Sequence, residues 1–145
     1  MATVTKVMHT ARASATGGRN GTTQNSDGLV KASLSVPKSM GGPGKPNTTT
    51  PEDLFAAGYA ACFSGAVEYM GVKNGLKPSS LTVDSAVAIG QIPSGGLGLQ
   101  VELVAKVGGL SQADAEKIVT LGHQFCPYSL AVKGNVDVTV KTVVV

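Results

Sequence analysis

Thr50-Pro51-Glu52-Asp53-Leu54-Phe55-Ala56-Ala57-Gly58-Tyr59-Ala60-Ala61-Cys62-Phe63-Ser64-Gly65-Ala66-Val67 is the stretch on which the fold turns. Its opening predicts a helix start, with Thr50 as N-cap, Pro51 at the first helical position and Asp53 closing a capping box. Nothing in it breaks a helix before about Met70. No charge falls between Leu54 and Val67, and most of the side chains there are Ala, Gly or Ser. Such a helix is buried on most sides and lets another backbone approach closely. In a chain of 145 residues, that predicts a second copy to cover it.

Working outward, a second helix begins at the cap Ser111-Gln112-Ala113-Asp114 and buries Ala115, Ile118, Val119, Gly122 and Phe125. Pro127 stops it and leaves Cys126 in its last turn. Val30, Ala32, Leu34 and Val36 alternate with polar residues, the period of a half-buried strand. Strand-like runs also occupy residues 4–13, 81–92, 97–107 and 136–145, with Pro93-Ser94-Gly95-Gly96 as a hairpin loop and Pro37–Thr50 as one long loop. The pattern predicts an α+β chain of one domain, residues 1–145, with strands outnumbering helices.

Composition narrows the function. A hydrophobic share of 42% and a charged share of 14% suit a packed core rather than a disordered chain. The uncharged helical stretch is too short to span a bilayer, so no membrane partner is expected. Met1-Ala2-Thr3-Val4 opens no basic-then-apolar leader, and a cytoplasmic location is expected. Residues 1–50 carry six Lys or Arg against Asp27 alone, while residues 51–145 carry six against eight acids. The basic residues stand singly and do not interleave with aromatics, which excludes nucleic acid as the first reading. The basic half is either a solvated edge or an entrance for an anion.

Chemistry centres on Cys62 and Cys126. All six aromatics lie near them: Phe55, Tyr59, Phe63 and Tyr69 around the first, Phe125 and Tyr128 around the second. Phe55, Tyr59, Cys62, Ala66 and Tyr69 share one helical stripe. This is either an aromatic core that contains thiols or an apolar pocket with thiols at its floor. A reactive thiol needs a lowered pKa, and neither a mid-helix position nor a helix C-terminus supplies it. Arg19, in Gly17-Gly18-Arg19-Asn20-Gly21, is either the missing cation or an exposed turn residue. A zinc set drawn from Cys62, Cys126, His123 and His9 lacks the usual paired ligand spacing, so no metal is expected.

Taken in order, these segments resemble the organic hydroperoxide resistance (Ohr) branch of the OsmC/Ohr family. The matching residues are Gly17-Gly18-Arg19-Asn20-Gly21, Asp27-Gly28, Pro37-Lys38, Pro51-Glu52-Asp53-Leu54-Phe55-Ala56, Ala60-Ala61-Cys62-Phe63, His123, Cys126-Pro127-Tyr128-Ser129 and Gly134-Asn135-Val136-Asp137-Val138. The chain departs from the family pattern at Leu130-Ala131-Val132-Lys133, where a more polar run is usual. The Arg-Asn-Gly and Cys-Pro-Tyr-Ser segments favour Ohr over the sister OsmC branch.

The resemblance implies antiparallel-rich sheets wrapped around two central helices in an intertwined homodimer, with sites at the interface. It implies a thiol peroxidase that reduces organic hydroperoxides, with Cys62 peroxidatic, Cys126 resolving, Arg19 activating the thiolate and Glu52 orienting Arg19. Phe55, Tyr59, Phe63, Phe125 and Tyr128 become the substrate pocket. No bound cofactor is implied. The reductant is an external dithiol, dihydrolipoamide or a lipoylated protein. A non-catalytic domain for apolar ligands, its thiols incidental, is the other class of function the residues allow.

Overall fold

The computed structural model describes residues 3–145. The chain forms two compact units, Met1–Leu54 and Phe55–Val145. In the first, β1 (Ala13–Thr16), β2 (Thr22–Asn25) and β3 (Lys31–Ser33) make an antiparallel sheet in that order. The β1–β2 turn is the Gly17–Gly21 loop. Gly17 adopts φ 76°, and a Cβ on Gly21 would meet the Thr16 carbonyl oxygen at 1.7 Å, so both positions need glycine. The strand expected over residues 4–13 is corrected: extended pairing starts only at Ala13, and Val4, Val7 and Met8 are exposed. A strand needs a ladder partner, and residues 4–11 find none among the described residues of the chain. The long loop holds a short 3-10 turn at Lys38–Met40 and a bridge between Leu34 and Thr49.

Helix α1 runs from Pro51 to Lys73. Its capping box is reciprocal: the Asp53 N–H donates to Thr50 Oγ1 (3.1 Å) and the Thr50 N–H to Asp53 Oδ2 (3.0 Å). In the second unit, β4 (Ser80–Gln91) and β5 (Leu97–Gly108) form the expected hairpin, and β6 (Asp137–Val144) lies parallel to β5. The parallel pairing requires a crossover, made by α2 (Gln112–Phe125) and a short α3 (Pro127–Val132). Ser111 caps α2 by accepting the Asp114 N–H at 3.1 Å. Pro127 both ends α2 and starts α3, a helix beyond the two that the sequence predicts.

The core of this unit joins Tyr59, Phe63, Ala66 and Val67 of α1 to Ala115, Ile118 and Val119 of α2 and to Val101, Leu103, Ala105 and Val107 of β5. The two helices approach closely at Gly122, where a Cβ would stand 2.8 Å from Val67 Cα. Within one chain α1 is not buried on most sides. Its face at Ala57, Ala61, Gly65, Tyr69 and Val72 is exposed. No helix is long and apolar enough to cross a membrane among the described residues.

Candidate active site

Cys62 lies in the middle of α1, and Cys126 at the junction of α2 and α3. Cys126 has φ −60° and ψ 123°, an extended conformation that lets the chain turn between the two helices. The residues thus come together from 64 positions apart, with Sγ to Sγ at 3.5 Å and both thiols free. Cys126 is fully buried, whereas Cys62 is partly accessible. Burial pushes the Cys62 thiol above the ordinary range. A hydrogen bond from the Tyr128 backbone pulls it back down, and the neighbouring Cys126 thiol adds to the rise.

The aromatic residues separate into three groups. Phe55, Tyr59 and Tyr128 pack as a trio, with centroids 6.0, 6.3 and 5.9 Å apart. Tyr59 is fully buried at their base, while Tyr128 presents part of its ring to the surface. Phe63 is also fully buried and meets the His123 ring edge-on at 6.1 Å. Phe125 stacks on Tyr69 at 4.9 Å, both exposed. Within the single chain the five expected pocket residues thus fall into three packing groups, with Tyr59 and Phe63 buried.

Below the thiols, the Tyr59 hydroxyl donates to Ser129 Oγ at 2.9 Å inside the core. Ser129 stands outside the expected site residues; its place in the segment Cys126-Pro127-Tyr128-Ser129 is the available signal. Burial raises the Tyr59 hydroxyl above its ordinary range. His123 is shifted down, by burial first and then by Lys133, and its Nδ1 is buried with no hydrogen-bond partner among the described residues. Leu130 lines a separate cavity of about 240 Å³ with His123, Ser129, Lys133, Val136 and Val138. No three His, Cys, Asp or Glu side chains gather into a metal-holding group among the described residues.

In the first unit, Arg19 is committed to Glu52. The guanidinium donates from Nη1 to Oε2 at 2.9 Å and from Nη2 to Oε1 at 2.7 Å, a bidentate pair. The loop that carries Arg19 is anchored just after it: Asn20 Oδ1 accepts the Val36 N–H at 3.0 Å and the Gly21 carbonyl accepts the Leu34 N–H at 2.8 Å. Glu52 is held in turn by the first turn of α1. The Arg19 hydrogen bonds keep the Glu52 carboxyl below the usual carboxylate range, against a smaller opposing effect of burial.

The arrangement is an α+β frame with a contacting thiol pair and a carboxylate-locked arginine. The family model of OsmC-like proteins matches residues 42–141. An organic hydroperoxide resistance protein of Xanthomonas axonopodis pv. citri is 50% identical over 140 residues, covering 96% of this chain and 97% of its own length. Among solved structures, an organic hydroperoxide resistance protein from Elizabethkingia anophelis superposes with a TM-score of 0.90 at 39% identity, covering 97% of this chain and 99% of that one. OhrB of Bacillus subtilis gives 0.84 at 36% identity, covering 92% and 98%. The chain belongs to the OsmC family, in its organic hydroperoxide resistance branch.

Proposed function

We propose that this chain is a thiol-dependent peroxidase that reduces organic hydroperoxides to alcohols. The observation that carries the reading is the free Cys62–Cys126 pair at 3.5 Å, one sulfur accessible and the other buried. The relatives named for organic hydroperoxide resistance support it. Cys62 is the peroxidatic residue. Its thiolate attacks the distal peroxide oxygen, the O–O bond breaks, and the alkoxide leaves as an alcohol once protonated. The sulfenic acid on Cys62 then condenses with the Cys126 thiol to a disulfide and water. An external dithiol, dihydrolipoamide or a lipoylated protein, takes up the oxidation and restores both thiols.

Burial alone disfavours the Cys62 thiolate, so activation needs a cation. Arg19 is that cation, and Glu52 orients it. The site is completed between two copies of the chain, and the exposed small-residue face of α1 supports that pairing. The accessible apolar rings, Tyr128 with Phe55, favour an alkyl hydroperoxide over hydrogen peroxide. The reducing cytoplasm, where a free thiol pair persists, is the proposed compartment.

The test is to add one equivalent of cumene hydroperoxide to the reduced protein and follow the thiols. One intramolecular disulfide should form per equivalent, and dihydrolipoamide should sustain turnover better than a monothiol. Unchanged thiols, with the peroxide intact, would reduce the pair to a feature of the core.

A further inference from the structure

Two contacts join the same two segments of the second unit. One is the pair of sulfurs, Cys62 to Cys126. The other is the hydrogen bond from the Tyr59 hydroxyl to Ser129 Oγ at 2.9 Å. Tyr59 precedes Cys62 by three residues and Ser129 follows Cys126 by three. Residues three apart on a helix lie on one face, about one turn from each other. The hydrogen bond is therefore a second rung, one turn below the thiol rung. Both of its residues are buried, Tyr59 at 0% and Ser129 at 4% exposure, where each hydroxyl is the other's partner and neither is easily replaced by water.

The position of Cys126 depends on what holds its neighbours. It lies at an extended junction, and the helix that follows is only six residues long. Among the described residues, the bond to Tyr59 is the one hydrogen bond that a side chain of α3 makes; the other hydrogen-bonded tie from α3 to α1 is the Tyr128 backbone bond to the Cys62 thiol. Tyr59 is itself wedged between Phe55 and Tyr128. If packing alone were required, an alanine or valine would serve at position 129, and a phenylalanine at position 59. A buried hydroxyl pair costs desolvation that an apolar pair would not, and what it supplies in return is fixed geometry.

We infer that Tyr59 and Ser129 are positioning residues for the resolving step: their hydrogen bond holds Cys126 at the distance from which it captures oxidised Cys62. The role rests on the thiol assignment proposed above. In the step itself the S–O bond of the Cys62 sulfenic acid breaks and the S–S bond forms. The hydroxide leaves with the Cys126 proton as water. The competing reaction is a second hydroperoxide, which transfers an oxygen to the sulfenic acid, gives sulfinic acid and leaves as alcohol. The hydrogen bond thus sets how often oxidation of Cys62 stays reversible.

The test compares wild type with Ser129→Ala, Tyr59→Phe and the double variant. Each single change strands one buried hydroxyl, whereas the double removes both and relieves that penalty. A loss of stability therefore shows in the singles and recovers in the double, while a loss of positioning persists in all three. Reduced protein is oxidised first with diamide, which needs no peroxidase activity, and then with excess cumene hydroperoxide; disulfide and sulfinic acid are counted by intact mass. The expected result is disulfide formation slowed about tenfold or more with either oxidant. Under excess hydroperoxide, more sulfinic acid should accumulate in Ser129→Ala than in wild type, and the double variant should not recover. A folded double variant that matches wild type with diamide overturns the inference. Wild type that forms the disulfide with diamide but not with hydroperoxide overturns the peroxidase reading instead, while the diamide rates still judge the positioning.

Discussion

Cys62 and Cys126 lie with their sulfurs 3.5 Å apart and unbonded, whereas a disulfide requires about 2.05 Å. The pair is poised to close by a movement of about 1.5 Å, small enough for a turn at the α2–α3 junction. The two thiols should then fail differently. Cys62→Ser is expected to consume no hydroperoxide. Cys126→Ser should consume about one equivalent quickly and then, with no thiol to meet its sulfenic acid, only the further equivalent that slow over-oxidation takes, without turnover. A peroxide-consumption trace separates the outcomes, and sustained turnover by Cys62→Ser would refute the assignment.

Gly122 and Gly58 are both helical glycines, yet alanine should act on them in opposite directions. At Gly122 an added Cβ would stand 2.6 Å from Val67 Cγ2, 2.8 Å from Val67 Cα and 2.9 Å from its nitrogen. Backbone cannot swing aside, so α1 and α2 must separate. Overpacking of this kind costs about 1–3 kcal/mol and outweighs the gain of about 1 kcal/mol from helix propensity. At Gly58 the nearest atom is Tyr128 Cε2 at 3.4 Å, on a partly exposed ring that can shift. Gly58→Ala should be neutral or stabilising by up to about 1 kcal/mol. Chemical denaturation of both variants checks the contrast, and equal effects would mean that the helix contact at Gly122 is loose.

The same local-versus-distant distinction explains what was legible in the sequence. The α1 capping box, the Ser111 cap and the β4–β5 hairpin could be read because each is completed within a few residues. The β1–β2 hairpin could not. Its strands, Ala-Ser-Ala-Thr and Thr-Thr-Gln-Asn, are small and polar, and β1 is exposed throughout, so no alternation marks them. Residues 4–11 carry apolar side chains but find no ladder partner among the described residues. Pro127 reads as a stop and as an N1 residue with equal force, which hid α3. At the site, the cysteines drew attention through their chemistry. Ser129 did not, because its partner Tyr59 is 70 residues away and serine is unremarkable in sequence.

Arg19 and Glu52 should act as one unit, and pH reveals it. The Arg19 hydrogen bonds lower the Glu52 pKa from the ordinary 4.5. A carboxyl whose pKa is lower in the folded chain stabilises the fold above its unfolded pKa. It loses that contribution as pH falls through the folded value. Arg19→Ala should therefore be less stable than wild type at neutral pH, with the difference vanishing in acid below the ordinary carboxylate range. A stability difference that stays constant with pH would show that the ion pair contributes nothing.

The same variant should also raise the Cys62 pKa, by about one to three pH units if the cation stands within about 4–6 Å in the assembled protein. Arg19→Lys should restore little, because a lysine cannot hold Glu52 bidentately while facing a second group. Thiolate absorbance followed against pH measures this directly. An identical Cys62 titration in wild type and Arg19→Ala would remove Arg19 from the chemistry.

Gly65 tests the proposed pairing of two copies. Ala57, Ala61 and Gly65 fall at i, i+4 and i+8 on α1 and form an exposed line of small side chains. A Cβ at Gly65 meets nothing within 4 Å in the single chain. A large side chain there is consequently compatible with the fold, and leaving glycine in a helix interior costs about 1 kcal/mol relative to alanine. Close approach by a second helix would give the glycine a structural purpose. Gly65→Trp should keep the helical content and thermal transition of a folded chain but fail to associate. Light scattering should give wild type twice the chain mass of 14.6 kDa and the variant the chain mass itself. If a second copy completes the site, peroxide turnover should be lost along with association. A variant that still dimerises and still turns over peroxide would move the interface away from this face of α1.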